Sequence, residues 1–218
     1  RMASKVRMRE SLINEAIFRN KRYFDCELIN AQDFQPGNSE IYIEGGDVLV
    51  AREDILIIGN GMRTSSQGID MLVSRLSRSS GPEKRHIIVQ QLPSSPESFI
   101  HLDMVFTMLD IDKAMVFEPL ILNENQYQTV HIILEGGKVV KIKSVNNILS
   151  VLKKLGMDLE PVICGGSADE WNQEREQWHS GANFFAFAPG KVMSYARNVH
   201  TLEEMHKSGF DIITARDV

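Results

Sequence analysis

Two segments of the chain set side chains suited to acid-base chemistry beside short apolar runs: Ile43-Glu44-Gly45-Gly46-Asp47-Val48 and Phe99-Ile100-His101-Leu102-Asp103-Met104-Val105-Phe106. Together they supply a carboxylate pair, a histidine one residue removed from an aspartate, and glycines that let a ligand approach the backbone closely. This set suits chemistry on a guanidinium group, because carboxylates hold the planar cation while an imidazole moves protons. Arg63-Thr64 follows a predicted strand pair and precedes a helix, where an arginine can clamp a substrate carboxylate bidentately. Arg7 and Arg9 open the first predicted helix, where arginines are usually just solvated. No thiol stands in an obvious place to act as a nucleophile.

Spacing says which of these groups can act together. Glu44 and Asp47 are three residues apart, so on a strand they face opposite sides unless Gly45-Gly46 breaks the pleat. The plainer reading, a glycine turn with a solvated acid on either side, stays open. His101 and Asp103 are two apart and on a strand point the same way, with Leu102 in the opposite layer. A nearby carboxylate favours the charged imidazole, and the apolar flanks predict burial, which an ionisable pair does not tolerate without a reason. His179-Ser180-Gly181-Ala182-Asn183 offers amide and backbone contacts, or is a loop entering a strand. Zinc is disfavoured, since His101, His131, His179, Cys26 and Cys164 lack regular ligand spacing. Neither Gly45-Gly46 nor Gly165-Gly166 fits a phosphate-binding loop.

The elements that must position these residues follow from periodicity. Residues 10–24 predict an amphipathic helix, followed by a loop at Pro36-Gly37-Asn38. Strands are predicted over 41–51 and 55–59 about a turn at Arg52-Glu53-Asp54, then a helix over 65–78 capped by Thr64 or Ser65, then a strand over 86–90. A second pair, 102–109 and 114–117, precedes a hairpin of 130–134 with 138–142 about Gly136-Gly137. A helix over 145–155 and a strand over 161–164 follow. A third pair, 184–188 and 192–195, turns at Pro189-Gly190 and leads to a helix over 202–207 and a strand over 210–214. The order strand, turn, strand, helix, strand thus recurs with Asp47, Asp103 and Asn183 at its heads. That recurrence argues for a radially repeated α/β architecture whose strand ends converge, against the alternative of an ordinary mixed α/β sheet.

Composition sets the frame. The 218 residues suffice for a substantial core and one domain, and 43% hydrophobic with 24% charged residues is ordinary for a soluble globular protein. A net charge of -5 argues against nucleic acid or an anionic membrane as the main partner. No apolar stretch reaches membrane-spanning length, and the start lacks a signal peptide's apolar core. Two cysteines make no disulfide framework and fit a reducing, cytoplasmic setting. Arg1-Met2-Ala3-Ser4 does not read as a natural start, and residues 211–218 read as a strand with nothing after it, so the expectation is a piece of a longer protein. A partial assembly of this kind would expose strand edges and apolar patches, which makes a homo-oligomer an expected partner state.

Glu44-Gly45-Gly46-Asp47, Arg63-Thr64, His101-Leu102-Asp103 with Val105-Phe106-Thr107-Met108-Leu109-Asp110, and Gly181-Ala182-Asn183 with Ala188-Pro189-Gly190 together resemble arginine deiminase in order and spacing. The resemblance covers almost the whole chain. It implies the pentein fold, an α/β propeller of five strand-strand-helix-strand modules, of which about three would be present in a partial catalytic domain over 1–218. It implies hydrolysis of L-arginine to L-citrulline and ammonia without metal or organic cofactor, through a cysteine-bound intermediate. Glu44 and Asp103 would hold the guanidinium nitrogens, His101 would be the general acid-base, and Arg63 and Arg7 would bind the substrate carboxylate. Two family parts are not found: an upstream Phe-Thr-Arg-Asp segment, and the nucleophilic cysteine of a downstream glycine-rich segment. Cys164 is not assigned that role, so these residues alone are expected to be inactive. An amidinotransferase of the same fold and a non-catalytic guanidine-binding protein are the alternatives.

Overall fold

Ile55-Leu56-Ile57-Ile58 is an unbroken apolar run because its strand is covered on both faces. In the computed structural model, which describes residues 2–26, 28 and 40–217, strand β2 (Ile55–Asn60) lies inside a five-stranded sheet. Its neighbours are β1 (Val48–Arg52), antiparallel, and β3 (Lys84–Gln91), parallel. Beyond β3 the sheet continues antiparallel through β6 (Thr129–Glu135) and β7 (Lys138–Val145). A second sheet pairs β4 (Phe106–Met108) antiparallel with β5 (Lys113–Val116), and β5 parallel with β8 (Glu160–Ile163). A two-stranded ribbon, β9 (Phe185–Ala188) with β10 (Lys191–Met193), completes the strands of the described residues.

The helices explain the parallel pairings, since a strand must cross over before it can return in the same direction. Helix α2 (Ser66–Leu76) makes the crossover between β2 and β3; Ser65 caps it by accepting from the Gly68 amide at 3.0 Å. Its Ile69, Val73 and Leu76 pack on Ile58, Ile87 and Leu134. The opposite face of the sheet, through Ile55, Ile57 and Ile88, meets Phe106 and Val116 of the second sheet and Ile148 and Leu152 of α4 (Ile148–Lys154). One core therefore locks the two sheets together. A third cluster covers the far side of the second sheet, where Met115, Val162 and Cys164 meet Met205 of α6 (Val199–Lys207).

Several expected elements take a different form. The hairpin at Gly136-Gly137 is present, both glycines adopting positive φ as a two-residue turn of matching twist requires. It extends the first sheet through β3 rather than staying with the second. The strand predicted over 41–51 begins only at Val48, because Gly45–Asp47 forms a 3-10 turn. The strand predicted over 102–109 is likewise preceded by a 3-10 turn, Leu102–Met104. The first helix, α1 (Met8–Phe18), is shorter than predicted and buries none of its residues. Residues 210–214 form no strand. Helix α3 (Glu118–Ile121) and helix α5 (Glu170–Trp178) were not predicted. The loop at Pro36-Gly37-Asn38 and the terminal Arg1 and Val218 lie outside the described residues.

Candidate active site

Glu44 is the hub of the site. It ends an extended segment tied to the start of α2: the Ser65 amide donates to the Tyr42 carbonyl at 3.1 Å, and the Glu44 amide donates to Thr64 Oγ1 at 3.2 Å. Those bonds bury the carboxylate to 2% exposure and bring the Arg63-Thr64 junction beside it. Arg63 Nη1 stands 3.7 Å from Glu44 Oε1. Thr64, fully buried, ties the Glu44 backbone to this junction; the sequence offered it both as a possible cap and within the Arg63-Thr64 pair.

The glycine turn carries the chain from Glu44 to Asp47 and breaks the pleat, so the two acids are not on opposite faces of a strand. Asp47 is fully buried and accepts the Leu102 amide on Oδ1 at 2.9 Å, while its buried Oδ2 has no hydrogen-bond partner among the described residues. Burial raises its carboxyl to about 6, against the opposing pull of the Thr64 side chain, the Leu102 amide and His101.

His101 reaches the hub from the other segment, its Nε2 lying 3.2 Å from Glu44 Oε2. Gly46 lies flush on the ring: a Cβ there would sit 2.8 Å from His101 Cγ. His101 and Asp103 do not share a strand face, which corrects the basis of their predicted pairing. His101 is extended at φ -140°, and Asp103 sits in the following 3-10 turn. They remain electrostatic neighbours: burial raises the Asp103 carboxyl, and His101 opposes that rise. Asn183 Nδ2 donates to the Asp103 carbonyl at 3.2 Å. Gln177 of α5 donates to the Ser98 and Met104 carbonyls at 2.7 and 3.3 Å, bracketing the same segment.

Arg7 is placed differently from the expected carboxylate clamp. Its Nη1 donates to Glu44 Oε2 at 2.8 Å, and its Nε and Nη2 form a bidentate pair with Glu10 at 2.8 Å each. The Ala3 amide also donates to Glu44 Oε1 at 3.0 Å. Glu44 Oε2 thus meets a guanidinium and an imidazole at once. The arrangement can neutralise a planar cation and exchange a proton beside it.

Neither cysteine belongs to this cluster. Cys26 is exposed. Cys164 is fully buried in the third core cluster, where burial pushes its thiol up to about 12 and Thr201 Oγ1 lies 3.8 Å away. Among the described residues, no group of three or more His, Cys, Asp and Glu side chains is arranged to hold a metal ion, and no helix is long and apolar enough to cross a membrane.

Comparison with known proteins adds relatives to this geometry. The family described as arginine deiminase matches residues 1–216. An arginine deiminase of Oenococcus oeni is 35% identical over 215 residues, which cover 97% of this chain and 50% of that protein. One of Mycoplasma capricolum is 34% identical over 98% of this chain and 51% of its own length. The chain therefore spans about half the length of the curated relatives it matches. Two solved structures share the fold. One is a mutant DDAH from Pseudomonas aeruginosa complexed with citrulline, at TM-score 0.55 and 17% identity, covering 98% of this chain and 61% of that one. The other is SxtG, an amidinotransferase from Microseira wollei, at TM-score 0.52 and 16% identity, covering 97% and 58%.

Proposed function

The chain belongs to the arginine deiminase family, and from that premise we propose that it carries the guanidinium-recognition and proton-transfer half of an enzyme that hydrolyses L-arginine to L-citrulline and ammonia. The observation that carries the reading is the Glu44 carboxylate, 2% exposed, with an arginine guanidinium 2.8 Å away and the His101 imidazole 3.2 Å away on the same oxygen. Glu44 and Asp103 hold the guanidinium nitrogens of the substrate. His101 donates a proton to the departing ammonia and then takes one from the incoming water. Arg63 binds the substrate carboxylate. Arg7 joins it after leaving Glu44.

The bond-making step needs a thiolate that attacks the guanidinium carbon. Neither Cys26 nor Cys164 is placed for it, and the nucleophile belongs to sequence outside these residues, in the additional length of the relatives. The 218 residues accordingly form a partial catalytic domain of about three modules in five. Two things support the count: β3 returns parallel to β2 and β8 parallel to β5, and β9, β10 and α6 follow in the same order. The substrate is a small molecule, the setting cytoplasmic, and a homo-oligomer would cover the exposed module edges.

The test uses the protein at the full length of its relatives. Citrulline and ammonia in equal amounts, with no product of amidino transfer when glycine is added, is the expected result. Transfer to glycine would assign an amidinotransferase instead. Arginine binding without turnover would leave a guanidine-binding protein.

A further inference from the structure

The three residues that head the recurrent order are linked to one another through the backbone of His101-Leu102-Asp103. Asp47 Oδ1 accepts the Leu102 amide at 2.9 Å, and Asn183 Nδ2 donates to the Asp103 carbonyl at 3.2 Å. The segment is held by its N–H from one side and its C=O from the other. Leu102 opens a 3-10 turn for which His101 provides no side-chain cap, so its amide is an orphan donor that the fold must satisfy. Asp47 meets that need from 55 residues away.

We propose that Asp47 and Asn183 are positioning residues, a two-sided clamp that aims His101 at Glu44 and sets Asp103 on the same ligand. The proposal rests on the reading of His101 as the acid-base group. Three observations support it. Asp47 is fully buried, and Gly59 leaves the room it occupies: a Cβ at Gly59 would lie 2.5 Å from Asp47 Oδ1 and 3.0 Å from Leu102 Cβ. The Thr64 side chain, also fully buried, acts on the Asp47 carboxyl alongside the Leu102 amide, so the accepting group is held from two sides. Asn183 sits at the corresponding place before the third strand pair, immediately after Gly181-Ala182, both buried. A clamp of this kind needs an acceptor at residue 47 and a donor at residue 183. Asn can replace Asp at the first position, whereas Leu can replace neither.

Nitrogen NMR of the His101 imidazole tests this on the 218-residue chain, because ring 15N shifts report the hydrogen bond to Glu44 directly and need no turnover. In Asp47→Leu the Nε2 resonance is expected to move toward that of a ring free of Glu44, with thermal unfolding still cooperative. Asp47→Asn is expected to restore the native shift. Should Asp47→Leu fail to fold, Asn183→Leu, at a half-buried position, makes the same measurement from the other side. A folded Leu variant at either position with native His101 shifts overturns the clamp, as does an Asn variant at 47 that behaves like Leu. Loss of arginine turnover in the full-length wild type would reject the proposed function while leaving this measurement intact.

Discussion

The two glycines of the turn are adjacent, yet their substitution should have opposite consequences. Neither has positive φ, so alanine meets no backbone strain at either. At Gly45 a Cβ finds nothing within 4 Å, and the usual effect of Gly→Ala, less freedom in the unfolded chain, should stabilise by about 0.4–1 kcal/mol. At Gly46 the Cβ would lie 2.8 Å from His101 Cγ and 2.9 Å from Nδ1. Carbon contacts relax only near ~3.5–4.0 Å, so the ring must retreat by roughly 0.7–1.2 Å. Overpacking of this kind costs about 1–3 kcal/mol, which outweighs the unfolded-state gain and leaves a net loss of about 1–2 kcal/mol. The retreat also disturbs the 3.2 Å contact between His101 Nε2 and Glu44. A displacement of about 1 Å can cost ~100-fold in rate. Urea unfolding of the 218-residue chain measures the stability terms, and citrulline production by the full-length protein measures the kinetic one. If Gly46→Ala matched Gly45→Ala in both, the ring would not rest on the glycine and the reasoning would fail.

Arg7→Gln should relieve Glu44 of one cation and tighten binding of methylguanidine several-fold while giving L-arginine no such gain, because on the proposed reading the variant loses one of the two arginines that meet the substrate carboxylate; NMR titration separates the two ligands, and weaker methylguanidine binding would refute the competition. Imidazoles of His86 and His131 lie 3.0 Å apart, and burial lowers His86 and brings His131 down to about 4. The unfolded chain therefore takes up more protons than the folded one, and stability should fall by about 2 kcal/mol as pH drops from ~6.5 toward 4. Asp47 acts with the opposite sign: its raised carboxyl makes the folded state the better proton binder between its ordinary range and about 6. His131→Phe should remove most of the acid loss when urea midpoints at pH 7 and 4.5 are compared, and an unchanged loss would place its cause elsewhere. Iodoacetamide at pH 8 should label Cys26 in the folded chain and reach Cys164 only on unfolding, as read by mass spectrometry; rapid labelling of Cys164 would reopen its candidacy as a nucleophile.

The heads of the recurrent order were legible because each is a small polar residue placed before an apolar strand, and the strands themselves alternate or run apolar as burial demands. Less legible was how the heads are used. Period-two reasoning put His101 and Asp103 on one strand face, whereas a 3-10 turn begins at Leu102, its amide donating to Asp47 and its Asp103 carbonyl accepting from Asn183. Such bonds span 55 and 80 residues, and no local pattern announces them. Arg7 shows the same limit: its helix-opening position suggested a solvated side chain, and the contact that defines it lies 37 residues away on Glu44.

Helix α5 escaped prediction for a reason that bears on the site. Its buried residues are Gln173, Glu176 and Gln177, so apolar periodicity has nothing to detect. Burying three such side chains is costly unless each is bonded. Gln177 meets the cost by holding the Ser98 and Met104 carbonyls on either side of His101. Glu176 accepts the Thr201 amide and hydroxyl at 2.7 Å each, fixing α6 over the second sheet. A polar face is thus what lets α5 grip backbone rather than merely cover it. The His101 segment is held on its N–H, its C=O and its flanks by Asp47, Asn183 and Gln177, from two separate stretches of chain. The candidate residues of the site could be picked out from residue types at short spacing, but how they are aimed depends on contacts that exist only once those stretches have met.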